Sequence, residues 1–249
     1  MRQGRRIEIL DTWRGGVIVS MVLYHACWDL VWIFGLPWAW FSGISAWVWQ
    51  QSICMSFIFL SGFCWNLGRR PLQRGILVLA SGELITAVTE FLSPADPIFF
   101  GILTLLGIAA TGTCFLHPLL RRIPPAAGMT ASLLLFLLFR EWHQGVIGTF
   151  QISEAAAALP EAVRIWAGYP PPGFSSSDYF PILPWIFLFS AGYFAYGQTA
   201  GKGRLPPWTD RGESSLSWAG RHSLLLYLLH QPFLLMGMHL YFYGFDLAK

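Results

Sequence analysis

The sequence predicts an all-α membrane protein, a polytopic bundle of about seven transmembrane helices forming one domain over residues 1–249. Three observations support this prediction: 55% of the 249 residues are hydrophobic, only 12% are charged, and the mean hydropathy is +0.51. A soluble domain carries about 25% charged residues, because its surface needs polar cover. The composition therefore excludes a disordered chain, a nucleic-acid-binding domain and a secreted disulfide scaffold.

Seven apolar runs approach the length of about 20 residues that a helix needs to cross a bilayer. They are 12–34, 46–67, 75–92, 98–119, 125–140, 181–199 and 222–243. With the N-terminus in the cytoplasm, thirteen of the sixteen Lys and Arg residues fall in inner segments, as the positive-inside rule requires. We therefore expect a multi-pass protein of the cell membrane, with the N-terminus inside and the C-terminus outside.

The segments that connect the apolar runs contain few sequence patterns that predict structure. The outer loop 141–180 is the longest, and 151–168 within it predicts a short amphipathic helix on the membrane surface. The inner segment 201–217 has the composition of a Pro/Gly-rich connector. His117 stands at the edge of a run, where a solvated or interfacial histidine is expected.

Four ionisable residues share one stripe of the first run. At about 100° per residue, His25 lies about 20° from Arg14, and Asp11 and Asp29 lie about 60° to the same side. Asp29 follows His25 by one turn, so its carboxylate is expected to orient the imidazole, as a general base requires. The other interpretation is a buried ion-paired face that only holds the bundle together.

Two further runs place polar side chains at membrane depth, where each needs a partner or water. The last run carries His230 and Gln231 directly before Pro232, which removes a backbone donor. Such a break is tolerated where a helix lines a cavity or packs inside protein. The third run carries Glu83 near its middle. No metal-ligand spacing, phosphate-binding loop or nucleophile motif is present.

Three stretches together resemble a known family. They are RIEILDTWRGGVIVSMVLYHACWDL (6–30), DYFPILPWIFLFSAGYF (178–194) and GRHSLLLYLLHQPF (220–233). They are similar to the bacterial DUF1624 proteins, a group related to the catalytic domain of heparan-α-glucosaminide N-acetyltransferase. The spacing of Arg14 and His25 also resembles the wider transmembrane acyltransferase superfamily. One departure is Thr104, which stands where members often have histidine in a Gly-Ile-Leu-His run.

The resemblance implies an integral membrane enzyme that moves an acyl group, expected to be acetyl, from cytoplasmic acyl-CoA to an amino-sugar or glycan acceptor outside. By this similarity His25 is the catalytic residue, as general base or transient acyl carrier, and Arg14 supports the CoA side. Asp29 would assist His25, and Asp11 would stand beside Arg14. A wet path along the stripe would join Arg14 to His25. Acetyl-CoA is expected as co-substrate, with no metal and no nucleic acid, and a homodimer is left open.

The acceptor pocket is expected to include Glu83, His230 and Gln231, with Asp178 and Tyr179 at its outer mouth. Two other classes of protein fit the same residues. A transporter or flippase for a small polar or lipid-linked solute could use the His and Glu side chains as a proton relay. A non-catalytic membrane scaffold would need the polar stripe for stability alone.

Overall fold

Helices make up most of the computed structural model, which describes residues 7–151, 153–199 and 215–244. A two-stranded antiparallel hairpin is formed by β1 (Val146–Ile147) and β2 (Phe150–Gln151). The helices are α1 (Glu8–Trp32), α2 (Ile44–Trp65), α3 (Pro71–Leu92), α4 (Ile102–Leu120), α5 (Pro125–Leu138), α6 (Ser153–Ala157), α7 (Glu161–Ala167), α8 (Ile182–Thr199), α9 (Ser215–Arg221) and α10 (Ser223–Tyr243).

Each of the seven predicted apolar runs contains a helix, which confirms the all-α fold class. Four of the described helices, α1, α3, α4 and α10, are long and apolar enough to cross a membrane. Their exposed surfaces are rich in large apolar side chains, such as Leu23, Phe91 and Phe115, as lipid contact requires. Seven crossings, the orientation and the single domain stay predictions. The predicted connector lies largely in residues 201–214, outside the described part of the chain.

The chain divides into two compact units. We call residues 1–57 with 206–249 the terminal unit, and residues 58–205 the middle unit. The terminal unit contains α1, the first part of α2, α9 and α10, whereas the middle unit contains the end of α2 and α3 to α8.

In the terminal unit, α1 packs against α9 and α10. Glycines allow the closest approach: a Cβ atom on Gly15 would lie 1.8 Å from the Leu216 carbonyl oxygen. A Cβ atom on Gly220 would likewise lie 1.8 Å from the Asp11 carbonyl oxygen. Helix α9 was not expected from the sequence, because its seven residues alternate small, polar and apolar types without a clear period. The backbone of α9 therefore lies directly against that of α1.

In the middle unit, α3 packs on α4 and α5 packs on α8. Gly75 lies against Thr111 and Gly82 lies against Thr104, so α3 and α4 run antiparallel. The end of α2 meets α8 through two more glycines, Gly62 against Phe189 and Gly192 against the Phe59 carbonyl. Small residues at helix contacts are typical of membrane bundles, since they bring backbones into van der Waals contact.

The long outer connection is more structured than its composition suggests. It holds the β-hairpin and two short helices, α6 and α7, where the sequence predicted one helix over 151–168. Pro160 separates the two helices and caps α7, since proline suits a helix start and not a helix interior. The end of this connection pairs with the α3–α4 loop: Ser176 bonds both backbone groups of Phe99, and the Phe180 amide donates to Phe100.

Candidate active site

The described part of the terminal unit holds a polar cluster around the buried Asp29, where α1 meets α10. We call His25, Asp29, His230 and Gln231 the α1–α10 cluster. The imidazole rings of His25 and His230 lie 4.8 Å apart between centroids. The Gln231 side-chain amide donates a 2.7 Å hydrogen bond to Oδ1 of Asp29, whose exposed fraction is 0%. Four residues predicted for the site from two distant segments are thus brought together.

The partner of Asp29 differs from the prediction. The spacing of four residues predicted that Asp29 would orient His25, yet its described hydrogen bond comes from Gln231. The longer side chain of Gln231 reaches across the helix contact and supplies the donor that a buried carboxylate needs. The ring of His25 instead packs against those of Tyr24 and His230. His230, rather than Asp29, is therefore the ionisable neighbour of His25 in this structure.

Three buried atoms of the cluster have no hydrogen-bond partner: Oδ2 of Asp29, Oε1 of Gln231 and Nε2 of His230. The first two can only accept, if the carboxylate is ionised. Nδ1 of His230 lies 2.5 Å from the Tyr227 carbonyl oxygen, so Nδ1 carries the hydrogen and Nε2 of a neutral ring also accepts. The cluster thus presents three unsatisfied acceptors, and buried polar atoms normally have partners.

Arg14 lies near the start of α1. Its Nη1 donates to Oδ1 of Asp11 one turn earlier, at 3.0 Å, and both side chains are partly buried. Between Arg14 and His25 on the same stripe lie Ile18 and Met21, which are 1% and 4% exposed. These buried apolar side chains separate Arg14 from His25 along the stripe. The expected water-filled path between the two residues therefore does not run along this face of α1.

An open pocket of about 260 Å³ lies on another side of α1, against α2. Its polar lining consists of serine hydroxyls from both helices, and Trp49 Nε1 donates a 2.8 Å bond to one of them, Ser20. The pocket reaches toward the start of α1, where Trp13 is one of its lining residues. The lining is Trp13, Gly16, Val17, Ser20, Ser52, Ile53 and Ser56. Sequence reasoning missed this pocket, although Ser52 and Ser56 share an i,i+4 spacing.

The other predicted site residues belong to the middle unit. Glu83 accepts a 3.2 Å bond from Thr104. Asp178 accepts a 3.4 Å bond from the first backbone amide of α4, at Ile102. The Tyr179 hydroxyl donates to the Ile165 carbonyl of α7. Burial raises the pKa of Tyr179 to about 12. Their roles toward a substrate stay predictions.

His117 also differs from expectation. Its Nδ1 lies 2.8 Å from the hydroxyl of Tyr193, and its ring packs against Trp65 in the middle unit. The sequence could not show this contact, because Tyr193 is 76 residues away along the chain. Among the described residues, no group of three or more His, Cys, Asp or Glu side chains is placed to hold a metal ion.

Four described helices of membrane-crossing length and apolar composition indicate the class of this protein: a helical integral membrane protein. The family model described as heparan-alpha-glucosaminide N-acetyltransferase, catalytic, matches residues 6–232. The chain therefore belongs to this family of membrane acetyltransferases, as the three sequence stretches predicted. No curated protein and no solved structure matches the chain significantly.

Proposed function

We propose that this protein transfers an acetyl group from cytoplasmic acetyl-CoA to an amino-sugar or glycan acceptor on the outer side of the cell membrane. The family supports the type of reaction. The observation that supports the place is the α1–α10 cluster, whose three buried acceptors lack partners beside His25. Such atoms in a native structure call for a ligand or ordered water.

The chemistry of the unsatisfied atoms favours a particular kind of acceptor. Asp29 Oδ2, Gln231 Oε1 and His230 Nε2 can receive hydrogen bonds, so they suit a group that donates them. An amine or a sugar hydroxyl is such a group, whereas a carboxylate or phosphate would be repelled. These atoms therefore support the proposal that an amino-sugar or glycan acceptor binds at this cluster, with its nucleophilic nitrogen or oxygen near His25.

His25 is the proposed catalytic residue. As general base it removes the proton of the acceptor while the new bond to the acetyl carbon forms and the carbon–sulfur bond breaks, so that CoA leaves as the thiolate. As transient acyl carrier its ring nitrogen takes the acetyl group first and passes it on in a second step. His230 can share the proton in either route, because its ring packs on that of His25.

Arg14 is the proposed contact for the phosphate groups of CoA. A guanidinium has five N–H donors, and Asp11 holds one side of it through Nη1, which leaves a fork that matches a phosphate group. His25 lies about 16 Å farther along α1. Since Ile18 and Met21 interrupt the direct stripe, the serine-lined pocket beside Trp13 is the proposed path for the pantetheine arm.

A thermal-unfolding titration and a transfer assay on the detergent-purified full chain test this function together. Acetyl-CoA should raise the unfolding temperature at modest concentration, and its acetyl group should appear on a glucosamine-containing acceptor. Arg14→Ala should raise the KM for acetyl-CoA by about 10- to 100-fold, since a hydrogen bond to a charged group contributes about 1.5–3 kcal/mol.

Glu90→Gln is a suitable control, because this exposed residue of α3 has no proposed role. The protein would be a transporter and not an acetyltransferase if acetyl-CoA had no effect and proteoliposomes showed substrate-dependent proton movement. A stability loss in Arg14→Ala with an unchanged KM would remove Arg14 from the CoA site.

A further inference from the structure

Three aromatic rings lie at one end of the serine-lined pocket of the terminal unit. Along α1 the lining of the pocket ends at Ser20, and Tyr24 lies one turn farther on the same helix face. Along α2 the lining ends at Ser52, and Trp49 lies one turn farther on that face. Phe41, from the connection between α1 and α2, packs its ring against that of Tyr24. We call these three residues the aromatic wall: Tyr24, Phe41 and Trp49.

The rings of the aromatic wall hold one another in place. The ring centroids of Tyr24 and Trp49 lie 5.3 Å apart at 84°, the edge-to-face arrangement that aromatic pairs prefer. The centroids of Tyr24 and Phe41 lie 5.1 Å apart, and Phe41 is only 4% exposed. The 2.8 Å bond from Trp49 Nε1 to Ser20 fixes the indole against the pocket lining. The wall is therefore a packed barrier at the end of the pocket.

The aromatic wall adjoins the proposed catalytic residue. His25 directly follows Tyr24, and the centroids of the two rings lie 6.0 Å apart. Trp13 lines the other end of the pocket, about 16 Å back along α1. With the pantetheine arm in the pocket, the thioester lies at the level of the wall. The methyl group of an acetyl donor needs no room beyond that level, whereas a longer acyl chain would have to extend into the rings.

We propose that the aromatic wall determines the length of the transferred acyl group, so that the protein accepts acetyl-CoA and excludes donors with longer chains. This inference rests on the proposed function, because it concerns the donor of the same reaction. Each added methylene group would have to displace a packed ring, and tightly packed side chains resist such displacement. In an apolar site of fixed size, one methylene group changes kcat/KM by about 10- to 200-fold.

Transfer rates from acetyl-CoA and from its longer homologue butanoyl-CoA, measured on the detergent-purified full chain, test this inference. The unaltered protein should use acetyl-CoA with a kcat/KM at least about 100-fold higher. Trp49→Ala removes the indole from the wall, so the ratio of butanoyl to acetyl transfer should rise about tenfold or more. A loss of stability alone lowers both rates together and leaves their ratio unchanged. The ratio therefore distinguishes a role in specificity from a role in packing.

Trp47→Ala is the matched control. Trp47 lies two residues before Trp49, about 200° around α2, and is 44% exposed. This variant removes the same side chain from the opposite face of the same helix, so its ratio of butanoyl to acetyl transfer should equal that of the unaltered protein. Should Trp49→Ala fail to fold by circular dichroism, Tyr24→Ala replaces it.

The outcomes separate this inference from the proposed function. Equal use of acetyl-CoA and butanoyl-CoA by the unaltered protein overturns the inference and leaves acetyl transfer in place. A ratio in the folded wall variant that is no higher than in Trp47→Ala also overturns it. Absence of transfer from either donor would remove the proposed function, and the inference would fall with it.

Discussion

The α1–α10 contact of the terminal unit differs from the helix contacts of the middle unit in how many of its buried polar atoms have hydrogen-bond partners. In the middle unit Trp65 Nε1 of α2 donates to the Ala110 carbonyl of α4 at 2.9 Å, and His117 of α4 lies 2.8 Å from the Tyr193 hydroxyl of α8. The unpartnered atoms described there, on Thr111 and Trp142, belong to separate elements. The α1–α10 cluster instead concentrates three unpartnered acceptors beside His25.

This difference distinguishes polar groups that stabilise the fold from polar groups that are available to bind a ligand. A polar group that is hydrogen-bonded within the protein stabilises a helix contact. Once the chain has folded, this group has no free donor or acceptor for a ligand. Polar atoms left without partners lower the stability of the folded chain unless a ligand or water satisfies them. We therefore expect changes in the α1–α10 cluster to reduce activity, and changes in the glycine contacts of the middle unit to reduce stability.

The largest effect is expected for His25→Ala. Transfer of acetyl should fall by about 10²- to 10⁴-fold, the usual contribution of a positioned acid–base group. The unfolding temperature should change little, because the described contacts of the His25 side chain are ring contacts with Tyr24 and His230. Rate measurements and thermal unfolding are made on the same sample. The control is His143→Ala, an exposed histidine outside the cluster; equal rates for the two variants would contradict the assignment.

The next effect tests the opposite side of the comparison. In Gly62→Ala the new Cβ atom would lie 1.9 Å from the Phe189 carbonyl oxygen, so α2 and α8 must move apart. Overpacking of this kind costs about 1–3 kcal/mol or more, which thermal unfolding in detergent will detect. Gly112→Ala is the matched control, since its Cβ meets no atom within 4 Å. A Gly62→Ala protein as stable as Gly112→Ala would show that the α2–α8 contact is not tight.

A third prediction concerns the serine-lined pocket. A Cβ atom on Gly16 meets nothing within 4 Å, so Gly16→Leu can fill the pocket without disturbing the backbone. The KM for acetyl-CoA should rise about tenfold, which is about 1.4 kcal/mol of lost binding. Gly112→Leu introduces the same side chain at another open position. If both variants keep the original KM, the pantetheine arm does not use this pocket.

The smallest expected effect concerns Tyr179. Its hydroxyl bond to Ile165 contributes about 1 kcal/mol, so Tyr179→Phe should be less stable by that amount near pH 7. Burial raises the pKa of Tyr179 to about 12 from its ordinary value of 10. The native chain therefore holds this proton more tightly, and the stability from Tyr179 is lost as the pH rises from 10 through 12. Unfolding curves of the two proteins should converge over that interval, and parallel curves would contradict the assignment.

The sequence was sufficient to predict the long apolar helices, but not every short helix or every contact between helices. Apolar runs near 20 residues place α1, α3 and α4 within a few residues of their bounds, because the run length reflects the bilayer. Helix α9 was missed, since its seven residues have no hydrophobic period and depend on the contact of Gly220 with α1. Tertiary contact, rather than local preference, determines such a short helix.

For the site, the sequence indicated which residues matter more clearly than how they pair. Helical periodicity placed His25 and Asp29 near one stripe, and the resemblance indicated His25 and Arg14. Periodicity within one helix carries no information on α10, so the bond from Gln231 to Asp29 could not be predicted. For the same reason the apolar interruption by Ile18 and Met21, and the pocket on the other side of α1, appear only in three dimensions.

The contact between Gly15 and Gly220 fixes the position of α1 along its own axis relative to α9. With no room for even a methyl group at either residue, α1 can neither slide along α9 nor turn about its own axis without a collision of backbone atoms. Arg14 directly precedes Gly15, so the same contact fixes the position of the Arg14 Cα atom against α9. Two glycines therefore fix the position of α1, the longest of the described helices, relative to α9.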